Sequence, residues 1–159
     1  MNEITPIPIG IEFYKEMISK GYYYIDKTLL IHDLLARKNK VTLFTRPRRF
    51  GKTLAQSMIK TFFEKEILPD GTLADNSIYF QGKKIMEAGE EYTKHMGQYP
   101  VIFISLKSAK QPTYEFAYER LQAEIINEYK RHIYVINSEI LLPSEKKELI
   151  SIIEKTAPS

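Results

Sequence analysis

Val41-Thr42-Leu43-Phe44-Thr45-Arg46-Pro47-Arg48-Arg49-Phe50-Gly51-Lys52-Thr53 is the stretch whose reading decides the fold. The apolar run Val41–Phe44 predicts a short strand, the next residues form a loop with three arginines, and helical spacing begins after Gly51. Strand, anion-friendly loop and helix N-terminus, in that order, are what a phosphate-binding loop requires. Backbone N–H groups of the loop and first helical turn would point at phosphate oxygens, and the helix dipole favours negative charge there. Lys52 would bring an ammonium to the β- and γ-phosphates of ATP, and Thr53 a hydroxyl ligand to Mg²⁺. The candidate binding residues are therefore Arg46, Pro47, Arg48, Arg49, Phe50, Gly51, Lys52 and Thr53, with Thr53 as the candidate metal ligand. No residue in the chain is assigned a catalytic role.

The usual phosphate-loop pattern begins with glycine, and that position is Arg46, followed by Pro47. Glycine there permits a positive φ that a bulky residue adopts only with strain, so the loop is expected to have an altered shape at its start. The competing reading of the same residues is a turn before a basic helix start, with Arg48, Arg49 and Lys52 merely solvated.

The chain has 159 residues, 43% hydrophobic and 27% charged, which suits one ordinary soluble domain. A net charge of +3 is too small to argue for nucleic acid alone. The absence of cysteine excludes disulfides and cysteine-held metals and is compatible with a reducing cytoplasm. Met1-Asn2-Glu3 lacks the basic start of a signal peptide, and no apolar run reaches membrane-spanning length. A cytoplasmic location without membrane partners is the expectation.

Residues 1–10 read as an extended lead-in, with Pro6, Pro8 and Gly10. Phe13 with Met17 and Tyr14 with Ile18 then recur at helical spacing, with Gly21 as a C-cap. Tyr22-Tyr23-Tyr24-Ile25 is β-prone, and Asp26 is a candidate N-cap for a helix to about Arg37 with Leu30, Ile31, Leu34 and Leu35 on its apolar face. After Gly51, the positions Leu54, Met58, Ile59, Phe62 and Phe63 form one stripe, expected to pack on the sheet that carries Val41–Thr45. Pro69-Asp70-Gly71 marks a turn, and 72–98 reads as loops and short helices. Tyr99–Leu106 is apolar on both faces and predicts a second strand of a covered parallel sheet. Helices follow from about Thr113 to Arg131 and from near Ser144. Two strands each followed by a long helix predict an α/β fold.

The chain also resembles the bacterial AAA-ATPase-like proteins. The resemblance rests on Pro8-Ile9-Gly10 followed by Phe13, on Tyr24-Ile25-Asp26-Lys27-Thr28, on Arg46-Pro47-Arg48-Arg49-Phe50-Gly51-Lys52-Thr53, and on Tyr99-Pro100-Val101-Ile102. That family also carries arginine at the first glycine position, so the departure at Arg46 is a family trait. The resemblance implies a P-loop NTPase-like parallel sheet flanked by helices and an ATP-binding module of a larger ATPase. It also implies a Walker B strand ending in acids, and none is found here: Val101–Leu106 runs into Lys107 and Ser108. Residues 1–159 thus read as the N-terminal part of such a domain, with the remainder of the same protein as a missing partner. Binding without hydrolysis is the expectation, and exposed strand edges would favour self-association.

Other chemistry is less supported. His32, His95 and His132 have no ligand spacing, and Ser105 and Ser108 have no evident base. Glu64, Glu66, Glu90 and Glu91 read as charged surface, the first two roughly 20 Å from the phosphate end at about 1.5 Å per helical residue. Arg48 and Arg49 could contact phosphates or face outward toward acidic partners. Tyr22-Tyr23-Tyr24 could stack on bases, but without an interleaved basic pattern packing explains it better. The resemblance places Asp26-Lys27-Thr28 near the adenine, although a helix N-cap accounts for the same residues. The alternative function is a protein- or nucleic-acid-interaction module that uses the basic loop for acidic partners.

Overall fold

Helices carry this chain. The structure is a computed structural model and describes residues 5–47 and 49–154. Its α-helices are α1 (Tyr14–Ser19), α2 (Leu29–Arg37), α3 (Lys52–Phe63), α4 (Glu90–Thr93), α5 (Tyr114–Arg131) and α6 (Pro143–Ile153). Short 3₁₀ turns lie at Asn76–Phe80, Lys84–Glu87, Leu106–Ala109 and Ile133–Asn137. The residues divide into two units, one to Val101 and one from Ile102.

In the first unit the core is Tyr14, Ile31, Met58, Phe62, Phe80 and Ile85. The helical spacings explain it: Tyr14 and Met17 come from α1, Ile31 from α2, and Met58 and Phe62 from one stripe of α3. The rings meet edge to face, Phe62 with Phe80 at 5.3 Å and Tyr14 with Tyr24 at 5.4 Å. Polar groups tie the helices together. Tyr14 N donates to Ser57 Oγ at 3.0 Å, and Tyr14 Oη donates to the Tyr79 carbonyl at 3.0 Å. Burial, with Tyr24 and Asp26 nearby, pushes the Tyr14 hydroxyl far above its ordinary range, so it stays a neutral donor.

Asp26 does more than the N-cap expected of it. Thr28 occupies the cap position of α2, and Asp26 forms a turn before it, accepting from Thr28 N at 2.8 Å and Thr28 Oγ1 at 2.7 Å. Its second oxygen accepts from Lys84 N at 2.9 Å, and Thr28 Oγ1 accepts from Ile85 N at 3.1 Å. Two residues of the 26–28 segment therefore clamp the 3₁₀ turn Lys84–Glu87 to the start of α2. Burial would raise the Asp26 carboxyl, but the donors from Lys84 and Thr28 hold it below its ordinary value.

The α/β expectation, a parallel sheet flanked by helices, is overturned. Among the described residues there is no strand, only the isolated bridges Glu64↔Tyr99 and Ile67↔Leu73. Val41–Thr45 enters no bridge among the described residues, and Val41 and Leu43 are 84% and 83% exposed. The expected second strand is also displaced. Tyr99 pairs with the end of α3, through Lys65 N to the Tyr99 carbonyl at 2.7 Å and Tyr99 N to the Phe63 carbonyl at 2.9 Å. Ile102–Ser105 then leads into the turn Leu106–Ala109, with Ile102 74% exposed. Apolar alternation makes a segment suited to a sheet, but only a neighbouring ladder makes it a strand. The α3 stripe consequently packs on α1 and the turn Asn76–Phe80, not on a sheet.

The second unit pairs α5 with α6 and with the turn Leu106–Ala109. Thr113 caps α5, its side chain accepting from Phe116 N at 3.4 Å, and Arg131 holds Glu128 at 2.7 Å in the last turn. Pro143 opens α6, where Glu145 accepts from Leu142 N at 2.7 Å. No described helix is long and apolar enough to cross a membrane.

Candidate functional site

Gly51 makes the start of α3 possible. It sits at the N-cap in the left-handed region, with φ +72°. Lys52 and Thr53 are therefore the first helical residues, in the turn whose backbone N–H groups lack helical partners. The altered loop shape expected from Arg46 is also visible. Arg46 is not among the described positive-φ residues; the left-handed residue is Arg49, at φ +67°. The bend that glycine would allow at the loop start is made three residues later, on a side chain that resists it.

Arg46, Pro47, Arg49, Phe50 and Thr53 are exposed, and Gly51 and Lys52 are half-buried. Arg48 lies outside the described residues. Lys52 Nζ turns back over the loop and donates to the main-chain carbonyls of Arg46 and, at 3.3 Å, Pro47. The ammonium is thus held at the mouth of the loop, by carbonyl dipoles that stand in for an anion. A cleft of about 80 Å³ opens there, lined by Lys27, Leu30, Phe44, Arg46, Phe50 and Lys52, with Gly51 and Ala55. No acid is among the described residues that line it.

A second cavity, of about 280 Å³, lies in the same unit. It is lined by Ile7, Pro8, Tyr23 and Ile25, by the buried Met17 and Met58, and by Leu54 from the first turn of α3. Lys27, Gly51 and Ala55 line both cavities. The reading of 26–28 as one element near a ligand is thereby divided: Asp26 and Thr28 clamp the fold, while Lys27 alone borders the cavities. The tyrosine run divides likewise. Tyr24 packs on Tyr14, and its hydroxyl contacts Met58 Sδ at 3.2 Å, whereas Tyr23 is 59% exposed at the cavity. Of Ile7, Pro8, Tyr23 and Ile25, only Ile7 belongs to no motif, whereas Pro8 and Ile25 stand in the segments that carry the family resemblance and Tyr23 in the tyrosine run. The available signal was the alternation along Tyr22–Ile25, whose outward residues Tyr23 and Ile25 have no polar reason to be exposed.

Two of the four carboxylates expected as charged surface, Glu64 and Glu66, are placed differently. Glu64 is buried and pairs with Lys60 at 3.3 Å, and Glu66 is half-buried against Lys15. Glu90 and Glu91 are exposed in α4. His32 stacks on Tyr92 at 4.4 Å, His95 bonds to Tyr99, and His132 contacts Tyr134 at 3.1 Å. No group of three metal-ligating side chains occurs among the described residues.

Comparison with protein families gives a match over residues 8–158 to the family described as Predicted AAA-ATPase. Neither the curated proteins nor the solved structures contain a match.

Proposed function

This chain belongs to the Predicted AAA-ATPase family, and on that premise we propose that it binds Mg²⁺-ATP through the loop Arg46–Thr53, as the nucleotide-binding module of a larger ATPase. The observation that carries the reading is the position of Lys52. Its ammonium lies over the loop carbonyls of Arg46 and Pro47, at the start of a twelve-residue helix. A phosphate at the same place would accept from Lys52 and from the first N–H groups of α3, exchanging neutral carbonyl acceptors for charged ones.

The residues present suit Mg²⁺ in part. Thr53 supplies one hard oxygen from an exposed position in the first turn, and a magnesium ion carried with the phosphates needs few protein ligands. Bound there, it would neutralise charge on the β- and γ-phosphates. No carboxylate stands among the described residues lining the loop cleft, so this module is read as binding ATP without turning it over. A cytoplasmic setting, with ATP and Mg²⁺ at hand, accords with the cysteine-free composition.

Titration calorimetry of the native chain with ATP, with and without Mg²⁺, tests the reading. Saturable, Mg²⁺-dependent binding is expected. Binding that ignores Mg²⁺, and polyanion binding that weakens steeply with salt, would instead identify an interaction module for acidic partners.

A further inference from the structure

The net charge of +3 conceals an uneven distribution. Residues 34–63 contain eight of the twenty-three lysines and arginines and no aspartate or glutamate, so the rest of the chain holds fifteen cations against all twenty acids. The remainder is net acidic, and the positive charge is concentrated in one stretch. Arg37, Lys38, Lys40, Arg46 and Arg49 are exposed, and among the described residues none of these side chains pairs with a carboxylate. One acid is suitably spaced: Asp33 stands four residues before Arg37, as in a helical ion pair, but it contacts His32 at 3.2 Å. In other stretches Lys15, Lys20 and Arg131 do have carboxylate partners.

Backbone geometry singles out the same stretch. Among the described residues, Lys38 and Arg49 are the two that take a positive φ without being glycine, at 51° and 67°. Both positions favour glycine or asparagine on backbone grounds, and both carry an exposed cation instead. The dipole of α2 accounts for Arg37 in its last turn. It does not account for Lys40 beyond the helix, or for a lysine in place of the usual glycine at the left-handed cap. A side chain kept at a costly backbone position argues for a use of that side chain.

The layout selects a partner. Leu30 of α2 lines the loop cleft with Phe44 and Arg46, and Arg37 is seven residues beyond Leu30, about 10 Å along the helix. Arg37, Lys38 and Lys40 thus stand at the end of α2 away from the cleft. A triphosphate on Arg46–Thr53 leaves them without an anion. A partner that serves both ends carries phosphates repeated over ~10 Å, about three nucleotide steps at ~3.4 Å each. Phe50, next to Arg49, is 60% exposed, and an exposed ring among cations suits an unpaired base. An acidic peptide would use the cations and leave that ring uncovered.

We propose that Arg37, Lys38 and Lys40 form the outer end of a strip that binds single-stranded nucleic acid through its phosphate backbone, with Arg46, Arg49 and the ring of Phe50 at the inner end. The strip goes beyond the nucleotide reading: its outer cations lie outside Arg46–Thr53, and a different ligand tests it. Each phosphate taken up releases condensed counterions, so the contacts are salt-sensitive and carry little sequence preference.

Fluorescence anisotropy over a salt series tests the strip, with a labelled oligothymidylate about twenty nucleotides long, longer than one binding site. The native chain is compared with a triple variant (Arg37→Gln, Lys38→Gln and Lys40→Gln), with Lys40→Glu alone, which lies outside any helix, and with Lys52→Ala. Circular dichroism and thermal unfolding check that each is folded. The native chain is expected to bind, and to bind more weakly as salt rises. The triple variant should lose about tenfold or more in affinity. Its slope of log K against log salt should flatten by about 2, from three phosphate contacts at ~0.7 each. It should keep the native response to Mg²⁺-ATP in calorimetry, while Lys52→Ala should keep most of its affinity for the oligonucleotide. No binding by the native chain at low salt overturns the strip, as does unchanged affinity and slope in both charge variants. Loss in Lys52→Ala alone also overturns it, since the loop itself would then be the polyanion site. Polyglutamate, or vesicles of phosphatidylserine, bound as tightly as the oligonucleotide would overturn nucleic acid as the partner. Oligonucleotide binding without ATP binding leaves the strip standing and removes the phosphate-loop reading.

Discussion

Lys52 donates from its ammonium to the main-chain carbonyl of Arg46, six residues before it, and so closes the loop on itself at the start of α3. The contact holds a cation where a phosphate would be received, and it also replaces part of that cation's hydration. Lys52→Ala removes the charge at an exchangeable, half-buried helix start, where alanine is well tolerated. The variant is expected to lose Mg²⁺-ATP binding and to keep its far-ultraviolet circular dichroism. Equal ATP affinity in the two proteins, measured by calorimetry, would falsify the assignment.

Arg49 is held at φ +67°, a conformation that side chains with a Cβ resist. Arg49→Gly should therefore stabilise the chain by about 1 kcal/mol, because the left-handed backbone no longer meets a Cβ. A rise in the denaturation midpoint is the expected result. A fall would mean that the arginine side chain contributes more to the loop than its backbone takes away.

Asp26 joins α2 to the Lys84–Glu87 turn, and its carboxyl is held below its ordinary value of 3.8. A depressed carboxyl contributes stability that is fully present above the unfolded value and is lost as pH falls through the lower folded value. Asp26→Asn should thus lower the thermal midpoint at pH ~7, with the gap to the native chain closing at acid pH, once pH has fallen below 3.8 and through the lower folded value. A gap of the same size at both pH values would show that the charge of Asp26 is immaterial.

Val41 and Leu43 are apolar and more than four-fifths exposed, at 84% and 83%. An exposed apolar segment that enters no bridge offers its surface and backbone groups to another chain. Light scattering is expected to show association that rises with concentration, and Leu43→Lys to shift it toward monomer. A native chain that stays monomeric at high concentration would show that this segment recruits no second chain.

Hydrolysis needs an acid to finish the metal shell and align water with the γ-phosphate. The described lining of the loop cleft holds none, and Glu64 and Glu66 are engaged with Lys60 and Lys15. Steady-state phosphate release should not exceed that of Lys52→Ala. Release above that control would place an acid at the loop in solution.

The helices were legible because their causes are local. Apolar residues at three- and four-residue spacing located α1, α2, α3 and α5, Thr113 capped α5, and Gly51 with Lys52 fixed the start of α3. The loop residues Arg46 to Thr53 were legible for the same reason, since chain order alone places them at a helix N-terminus. Asp26 was half legible: its turn with Thr28 is local, but its bond to Lys84 spans fifty-eight residues and has no signature in a window.

By itself, the sequence determined where the longer helices α1, α2, α3, α5 and α6 lie and that a cationic loop precedes α3, because spacing, capping and backbone freedom act within a few residues. Only the tertiary structure decided the fate of Val41–Thr45 and Tyr99–Leu106. Apolar alternation supplies a face, while a strand exists only where a second backbone accepts its N–H and C=O groups, and that pairing is non-local. Tyr99 finds such a partner at the end of α3, and Val41–Thr45 enters no bridge among the described residues. The tertiary structure alone also gathered Ile7, Tyr23, Ile25 and Met58 around one cavity beside Gly51, because concavity belongs to packed elements and to no single stretch of chain.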